Sequence, residues 1–252
     1  MQKNIIYNEE CIAGMTRLPD KSIDMILCDL PYGITGCSWD GLIPFPELWR
    51  QYERVIKDNG AIVLTACQPF TTELINSNRR LFRYCWYWLK NQVTGFPFAK
   101  YQPLRCVEDI AVFYKHRPIY NPQGLVELPE PETHTKRLKE DSVYKADTLS
   151  GQYIVRYKSY PRQTLQFACE RGLHPTQKPV ALFEYLIRTY TNKGDLVLDN
   201  CIGSGTTAVA CINTGRDYVG FEIGGEYFEI AVKRLAKQNK SRSEEDAQSS
   251  KR

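Results

Sequence analysis

Short apolar runs separated by amphipathic stretches organise this chain. "NIIY", "SIDMILCD", "AIVLTA", "FRYCWYWL", "EDIAVFYK", "DLVLD" and "DYVGFEI" are rich in β-branched and aromatic side chains and predict strands. "FPELWRQYERVIKDNG" has apolar residues at helical spacing and predicts a helix with Gly60 as its C-cap. "KPVALFEYLIRTYTNKG", with Pro179 in its first turn, "GTTAVACINTG" and "EYFEIAVKRLAKQ" predict three more helices. Strands alternating with helices imply a mostly parallel sheet covered on both faces. The rhythm fails between about 116 and 172, where Pro, Glu, Lys, Arg and Tyr accumulate. The end of the chain, "NKSRSEEDAQSSKR", is polar and of low complexity, so residues 241–252 are expected to form a disordered tail. The expected organisation is one domain over 1–240 with an insertion at 116–172.

Composition narrows the function classes. A chain of 252 residues with 42% hydrophobic and 25% charged residues and a mean hydropathy of −0.43 fits a globular domain. No apolar stretch reaches the length of a membrane span, and "MQKNIIYNEE" lacks a signal-peptide pattern, so a cytoplasmic protein is expected. Nine cysteines with no C-x-x-C spacing argue against a disulfide framework and against a metal site. The net charge of +4 says little alone. From Lys136 to Arg171, however, eight Lys/Arg against four Asp/Glu leave +4 locally (8 − 4). His116, His134 and His174 are scattered and read as surface or structural residues, and the aromatics of "FRYCWYWL" read as core.

"VLDNCIGSGTTAVAC" has the form of a strand, a tight glycine turn and a helix. Gly203 and Gly205 allow close approach of a ligand to backbone, and the helix offers free N–H groups and a positive dipole end. Glu222 closes the next strand, where a carboxylate can accept hydrogen bonds from ribose hydroxyls. Gly203, Gly205 and Ala208 also satisfy a loose dinucleotide fingerprint, which raises an NAD-dependent oxidoreductase as a rival. Position counts against it: only 53 residues (252 − 199) follow Asp199, too few for a second mononucleotide half.

"CDLPYG" follows the apolar run "IDMILC", so a buried strand delivers Asp29, Leu30, Pro31 and Tyr32 to its open end. Leu30 precedes proline and is therefore extended, with its carbonyl beside the Asp29 side chain. Two adjacent acceptors can take both hydrogens of one exocyclic amino group, while the Tyr32 ring stacks on a flat heterocycle.

Taken together these segments resemble the S-adenosyl-L-methionine-dependent amino-methyltransferases of DNA. "CDLPYG" is similar to their D/N/S-P-P-Y motif and "LDNCIGSGTT" to their cofactor loop, while "HPTQKPVALFEYLI" and "NEECIAGMTRLPDKSIDMI" resemble the segments that precede them. The order of the motifs, with the glycine loop last, matches the circularly permuted β class. Leu30 stands where the family has a proline, and Asn200-Cys201 where it has Pro-Phe.

The resemblance implies a Rossmann-like α/β fold with a seven-stranded, mostly parallel sheet and an inserted target-recognition region. It implies S-adenosyl-L-methionine held by Glu10, Asp29, Lys178, Pro179, Asp199, Asn200, Cys201, Gly203, Ser204, Gly205, Thr206 and Glu222. Asp29, Leu30, Pro31 and Tyr32 would act on a base flipped out of double-stranded DNA, since a stacked base cannot reach such a site. Asp at the first motif position favours the adenine 6-amino group over the cytosine 4-amino group. Methylation at cytosine carbon-5 is excluded by the lack of a Pro-Cys dipeptide. Phe96, Phe98, Lys100, Tyr101 and Arg105 in one loop, and Arg156, Lys158 and Arg162 among the tyrosines Tyr144, Tyr153, Tyr157 and Tyr160, are the expected DNA contacts. A cognate restriction nuclease as partner, a monomer or homodimer, and a catalytically inactive DNA-binding relic all remain open.

Overall fold

The computed structural model describes residues 1–33, 41–136, 151–170, 172 and 177–249. His174, Tyr144 and Lys145 lie outside the described residues. Two compact units are present, one formed by residues 1–121 and 163–252 and the other by 122–162.

The large unit is built on an eight-stranded sheet of order β1-β10-β9-β2-β3-β5-β4-β8. Its strands are β1 (Ile5–Asn8), β2 (Ile23–Asp29), β3 (Ile56–Ala66), β4 (Phe82–Thr94), β5 (Arg105–Phe113), β8 (Thr164–Phe167), β9 (Leu196–Asp199) and β10 (Asp217–Glu222). Only β5 runs antiparallel to its neighbours. The seven strands expected from the sequence are present, and β8 corrects the count to eight. Its four residues alternate exposed and buried as an edge strand does, too short a pattern to detect in sequence.

Side-chain alternation along the central strands makes two cores. Ile26 and Cys28 of β2 face one side, where they pack with Met15 of α1 (Cys11–Met15), Leu48 and Tyr52 of α2 (Phe45–Val55) and Leu74 of α3 (Phe70–Ser77). Met25 and Leu27 face the other, where they pack with Leu186 of α4 (Val180–Tyr190), Ala210 of α5 (Thr206–Thr214) and Leu235 of α6 (Gly225–Ser249). Each large apolar side chain buried this way contributes about 1.5–3 kcal/mol, so the two layers fix the sheet's register. Trp86 and Trp88 of β4 are buried in this core, with the Trp86 indole N–H donating to the Tyr190 hydroxyl at 2.7 Å, whereas Tyr87, expected in the core with them, points to the exposed face.

Three local expectations are corrected. α2 ends at Val55 and the chain passes directly into β3, so Gly60 is a strand residue and not a helix cap. A Cβ at Gly60 would lie 2.8 Å from the Asp24 carbonyl oxygen, and the glycine serves close strand approach where extra β3 residues shift the register against β2. Pro179 is the N-cap of α4, just before its first turn. The backbone of α6 continues to Ser249, against the expected tail at 241–252. Once a helix is nucleated by a packed segment, each added residue needs only one further hydrogen bond, and polar helix formers suffice.

The smaller unit is an antiparallel pair, β6 (Val126–Lys136) with β7 (Gly151–Lys158), containing a stacked His134–Tyr153 pair. It lies within the irregular stretch 116–172, whose end instead supplies β8 to the main sheet.

Candidate active site

The sheet changes winding direction between β9 and β2. From β9 the chain proceeds through α5 to β10 on one side, and from β2 through α2 to β3 on the other. A crevice must open at the carboxyl ends of two such strands. It is a cavity of about 760 Å³ bordered by Asp29, Leu30, Pro31 and Tyr32 after β2, and by Asp199, Asn200, Cys201, Gly203, Ser204 and Thr206 after β9. Glu10, Glu222, Lys178 and Arg105 complete the expected members of its wall. Pro179, Gly205, Phe96, Phe98, Lys100 and Tyr101 do not line it.

The glycine turn is held by a carboxylate. Glu222 Oε2 accepts from the Gly203 N–H at 2.9 Å and Oε1 from the Gly224 N–H at 2.7 Å, which leaves acceptor capacity for a ligand. Burial raises the Glu222 carboxyl above its ordinary range, against the pull of these bonds. Gly205 takes φ +83 to cap α5, and a Cβ there would meet Ala231 of α6 at 3.2 Å. Asp199 is buried, accepts from the Cys201 N–H at 3.0 Å and from the Thr207 hydroxyl, and is pushed up to about 7 by that burial. Glu10 spends both oxygens on the N–H groups of Ile12 and Ala13, each at 2.8 Å, as the N-cap of α1. Asn200 accepts from the Tyr52 hydroxyl, and its amide lies 3.4 Å from Cys201 Sγ and 3.6 Å from Cys11 Sγ.

Asp29 is hydrogen-bonded on both of its oxygens. Its Oδ1 accepts from the Tyr32 hydroxyl at 2.6 Å and from the Thr65 hydroxyl, and its Oδ2 from Lys178 Nζ at 2.6 Å. Lys178 is almost fully buried. Burial depresses its ammonium, but Asp29 and Glu108 outweigh that, and the net shift is upward. Tyr32 is pushed well above its ordinary range by burial and by the same two carboxylates, so its hydroxyl keeps its proton and donates. Its ring stacks on Phe70 with centroids 5.0 Å apart.

Thr65, Trp88, Lys90, Gln92 and Glu108 were not anticipated from the sequence. Thr65 bonds to Asp29, and the other four line the cavity. They come from β3, β4 and β5, where the only sequence signal was that of ordinary strands. Among the expected DNA contacts, Phe96 and Phe98 form a 3-10 turn and are exposed, as are Lys100, Tyr101 and Arg105. Arg156, Lys158 and Arg162 are exposed on the smaller unit. Among the described residues no group of His, Cys, Asp and Glu could hold a metal ion, and no helix is long and apolar enough to cross a membrane.

A doubly wound sheet with a glycine turn at β9, an acid closing β10 and a D-L-P-Y segment after β2 defines a Rossmann-like methyltransferase. The chain belongs to the DNA methylase family, whose model matches residues 23–233. It is 46% identical to the type II methyltransferase M2.DpnII of Streptococcus pneumoniae over 95% of this chain and 92% of that one. It is 30% identical to the DNA adenine methyltransferase YhdJ of Escherichia coli K12 over 92% of this chain and 82% of that one. Its fold is similar to that in the crystal structure of the M1.HpyAVI–SAM complex, with a TM-score of 0.62 at 24% identity over 91% of this chain and 98% of that one. The dehydrogenase reading of the glycine loop is thereby set aside.

Proposed function

We propose that this DNA methyltransferase transfers the methyl group of S-adenosyl-L-methionine to the exocyclic 6-amino group of adenine flipped out of double-stranded DNA. The observation that carries the reading is the placement of Asp29 and the glycine turn on adjacent strand ends of one cavity. The cofactor fits the residues present: the cavity has room for a nucleoside, Gly203 has open space where a Cβ would stand, and Glu222 retains acceptor capacity toward ribose hydroxyls. Glu10, Asp199, Asn200, Cys201, Ser204 and Thr206 complete that wall, with Gly205 and Pro179 next to wall residues in the chain. When bound, S-adenosyl-L-methionine supplies an electrophilic methyl group on a sulfonium.

The chain's own part is to orient and desolvate the amine. Its lone pair is delocalised into the base, and hydrogen bonds from both N–H groups to Asp29 and the Leu30 carbonyl favour a pyramidal nitrogen. Asp29 is too weak a base to deprotonate the neutral amine first. It stabilises positive charge that develops on nitrogen, and the proton leaves afterwards. Pro31 restrains the Leu30 carbonyl, and the Tyr32 ring stacks on the base. The adenine preference rests on Asp at the first motif position and on the similarity to an adenine-specific relative. Sequencing of DNA from cells expressing the protein, with base-modification detection, tests this directly. The expected result is 6-methyladenine at one short recognition sequence. 4-methylcytosine would transfer the same mechanism to the other amino base, and unmodified DNA would remove the reading.

DNA contact is assigned to Phe96, Phe98, Lys100, Tyr101 and Arg105 on the large unit and to Arg156, Lys158 and Arg162 on the small one. All are exposed and alternate basic with aromatic character. Alanine at Arg156, Lys158 and Arg162 together should weaken duplex binding and leave cofactor binding unchanged. If each meets one phosphate, the slope of log K against log salt falls by about 0.9 per contact, roughly 2.7 in all. A salt titration with unchanged slope and affinity would confine the interface to the 96–105 loop. A nuclease partner of the kind that accompanies type II methyltransferases is proposed on the similarity to such enzymes alone.

A further inference from the structure

Asp29 is not free to receive an amine in the structure described above. Lys178 Nζ sits 2.6 Å from its Oδ2, and the Tyr32 and Thr65 hydroxyls bond its Oδ1. A carboxylate held this way is charge-neutralised as well as largely saturated, and it is a poor partner for an amino group that gains positive charge. Lys178 therefore needs a second place to stand.

That place is built in. Lys178 Nζ is also 3.5 Å from Oε2 of Glu108 on β5, close enough for an ion pair but outside hydrogen-bonding geometry. Glu108 Oε2 is buried and accepts no hydrogen bond among the described residues. Its other oxygen is gripped by Lys90 on β4, which fixes the carboxylate against the cavity wall. An unused acceptor in a buried carboxylate costs free energy and persists only where something else requires it. The ammonium at 3.5 Å is the donor that can fill it by a shift of about 1 Å to an ordinary hydrogen-bond length.

We propose that Glu108 is a positioning residue for methyl transfer, a second anchor onto which Lys178 moves when the target amine arrives. In the resting arrangement Lys178 holds Asp29. With the base in place, the amine N–H takes the Oδ2 position and the ammonium moves to Glu108 Oε2. Asp29 Oδ2 is then released from its short bond to the ammonium and directed at the nitrogen, and Lys178 stays paired at every stage. No proton is transferred in the shift. The proposal rests on the reading of Asp29 as the acceptor of the target amine.

The test is a double-mutant cycle in the full-length protein, reading kcat, both KM values and cofactor affinity. Tritiated S-adenosyl-L-methionine and DNA from a methylase-deficient host serve as substrates. Glu108→Gln should lower kcat by about 30-fold with both KM values within about threefold, and Glu108→Asp should recover most of the loss because the flexible lysine stem can follow the carboxylate. If Glu108 acts through Lys178, the double variant Glu108→Gln/Lys178→Gln should be no more than about twofold worse than the poorer single variant. Multiplicative losses, wild-type kcat in Glu108→Gln, or an aspartate variant as impaired as glutamine would each overturn the proposal. So would weakened cofactor binding with kcat intact, since Glu108 would then hold Lys178 for the cofactor. Asp29→Ala run alongside separates the two levels. Wild-type protein inactive on DNA, or an active Asp29→Ala, removes the underlying reading. An active wild type with a dead Asp29→Ala and multiplicative Glu108 and Lys178 losses removes this inference alone.

Discussion

Asp29→Ala loses methyl transfer by at least about a thousandfold while binding S-adenosyl-L-methionine within about tenfold of the unaltered protein. The asymmetry follows from where Asp29 stands. It closes β2, one strand away from the glycine turn, and its bonds go to Tyr32, Thr65 and Lys178, none of which belongs to that turn. Alanine removes the acceptor that stabilises charge on the target nitrogen and leaves the Gly203 turn and Glu222 in place. It also strands the buried Lys178 ammonium with only Glu108 opposite, so a loss of global stability accompanies it, and Asp29→Asn, which keeps the shape, is the control. Calorimetry of cofactor binding beside a tritium-transfer assay reads the split. Equal losses in both would make Asp29 chiefly a cofactor ligand. Tyr32 gives a graded companion. Phenylalanine there removes one hydrogen bond to Asp29, worth about 1 kcal/mol, whereas alanine also removes the ring expected to stack on the base, worth roughly 1–3 kcal/mol.

The cofactor-free protein becomes less stable between pH 4 and pH 7, and Asp199→Asn removes most of that dependence. Burial raises the Asp199 carboxyl from 3.8 to about 7. Between those values the folded protein holds a proton that the unfolded chain has released, so each unit of rising pH favours unfolding. The full window corresponds to about 4 kcal/mol. The raised Glu222 carboxyl acts in the same direction, so a residual slope survives in the variant. Cys28, pushed up to about 12, titrates far outside the window and does not contribute. Asparagine can keep its oxygen for the Cys201 N–H and donate its NH2 to the Thr207 hydroxyl oxygen, and it carries no charge at any pH. Urea midpoints at pH 5 and pH 8 for both proteins measure the effect. Equal pH slopes would place the titration elsewhere.

The family of this chain was legible in the sequence because its motifs are local. A glycine turn needs residues that tolerate positive φ in a few consecutive positions, as Gly203 and Gly205 do at φ +53 and +83. An Asp-Leu-Pro-Tyr segment after an apolar run declares a strand end in the same way. Strands with strong alternation or continuous burial, such as β2 and β3, declared themselves through side-chain period. What sequence determined was therefore the parallel sheet, the glycine loop, and the residues carried on two strand ends.

Tertiary structure decided everything that depends on which strands lie side by side. Thr65, Lys90, Gln92 and Glu108 read as ordinary positions of β3, β4 and β5, and only the order β2-β3-β5-β4 brings Thr65 to the Asp29 carboxylate and the other three to the cavity wall. Lys178 is 149 positions from Asp29 along the chain, yet its ammonium becomes that carboxylate's partner. Its role could not be read locally, because an ion pair is set by distance in space and the surrounding burial, and neither is a property of neighbouring letters. Glu10 shows the reverse: the sequence resemblance gave it to the cofactor, and in the structure it lies in the cavity wall with its carboxylate committed to capping α1. The edge strand β8 and the continuation of α6 past residue 240 escaped the sequence because their patterns were too short or too polar. Pairing with β4 in the first case, and propagation from a packed helix in the second, supplied the free energy that local preference lacked.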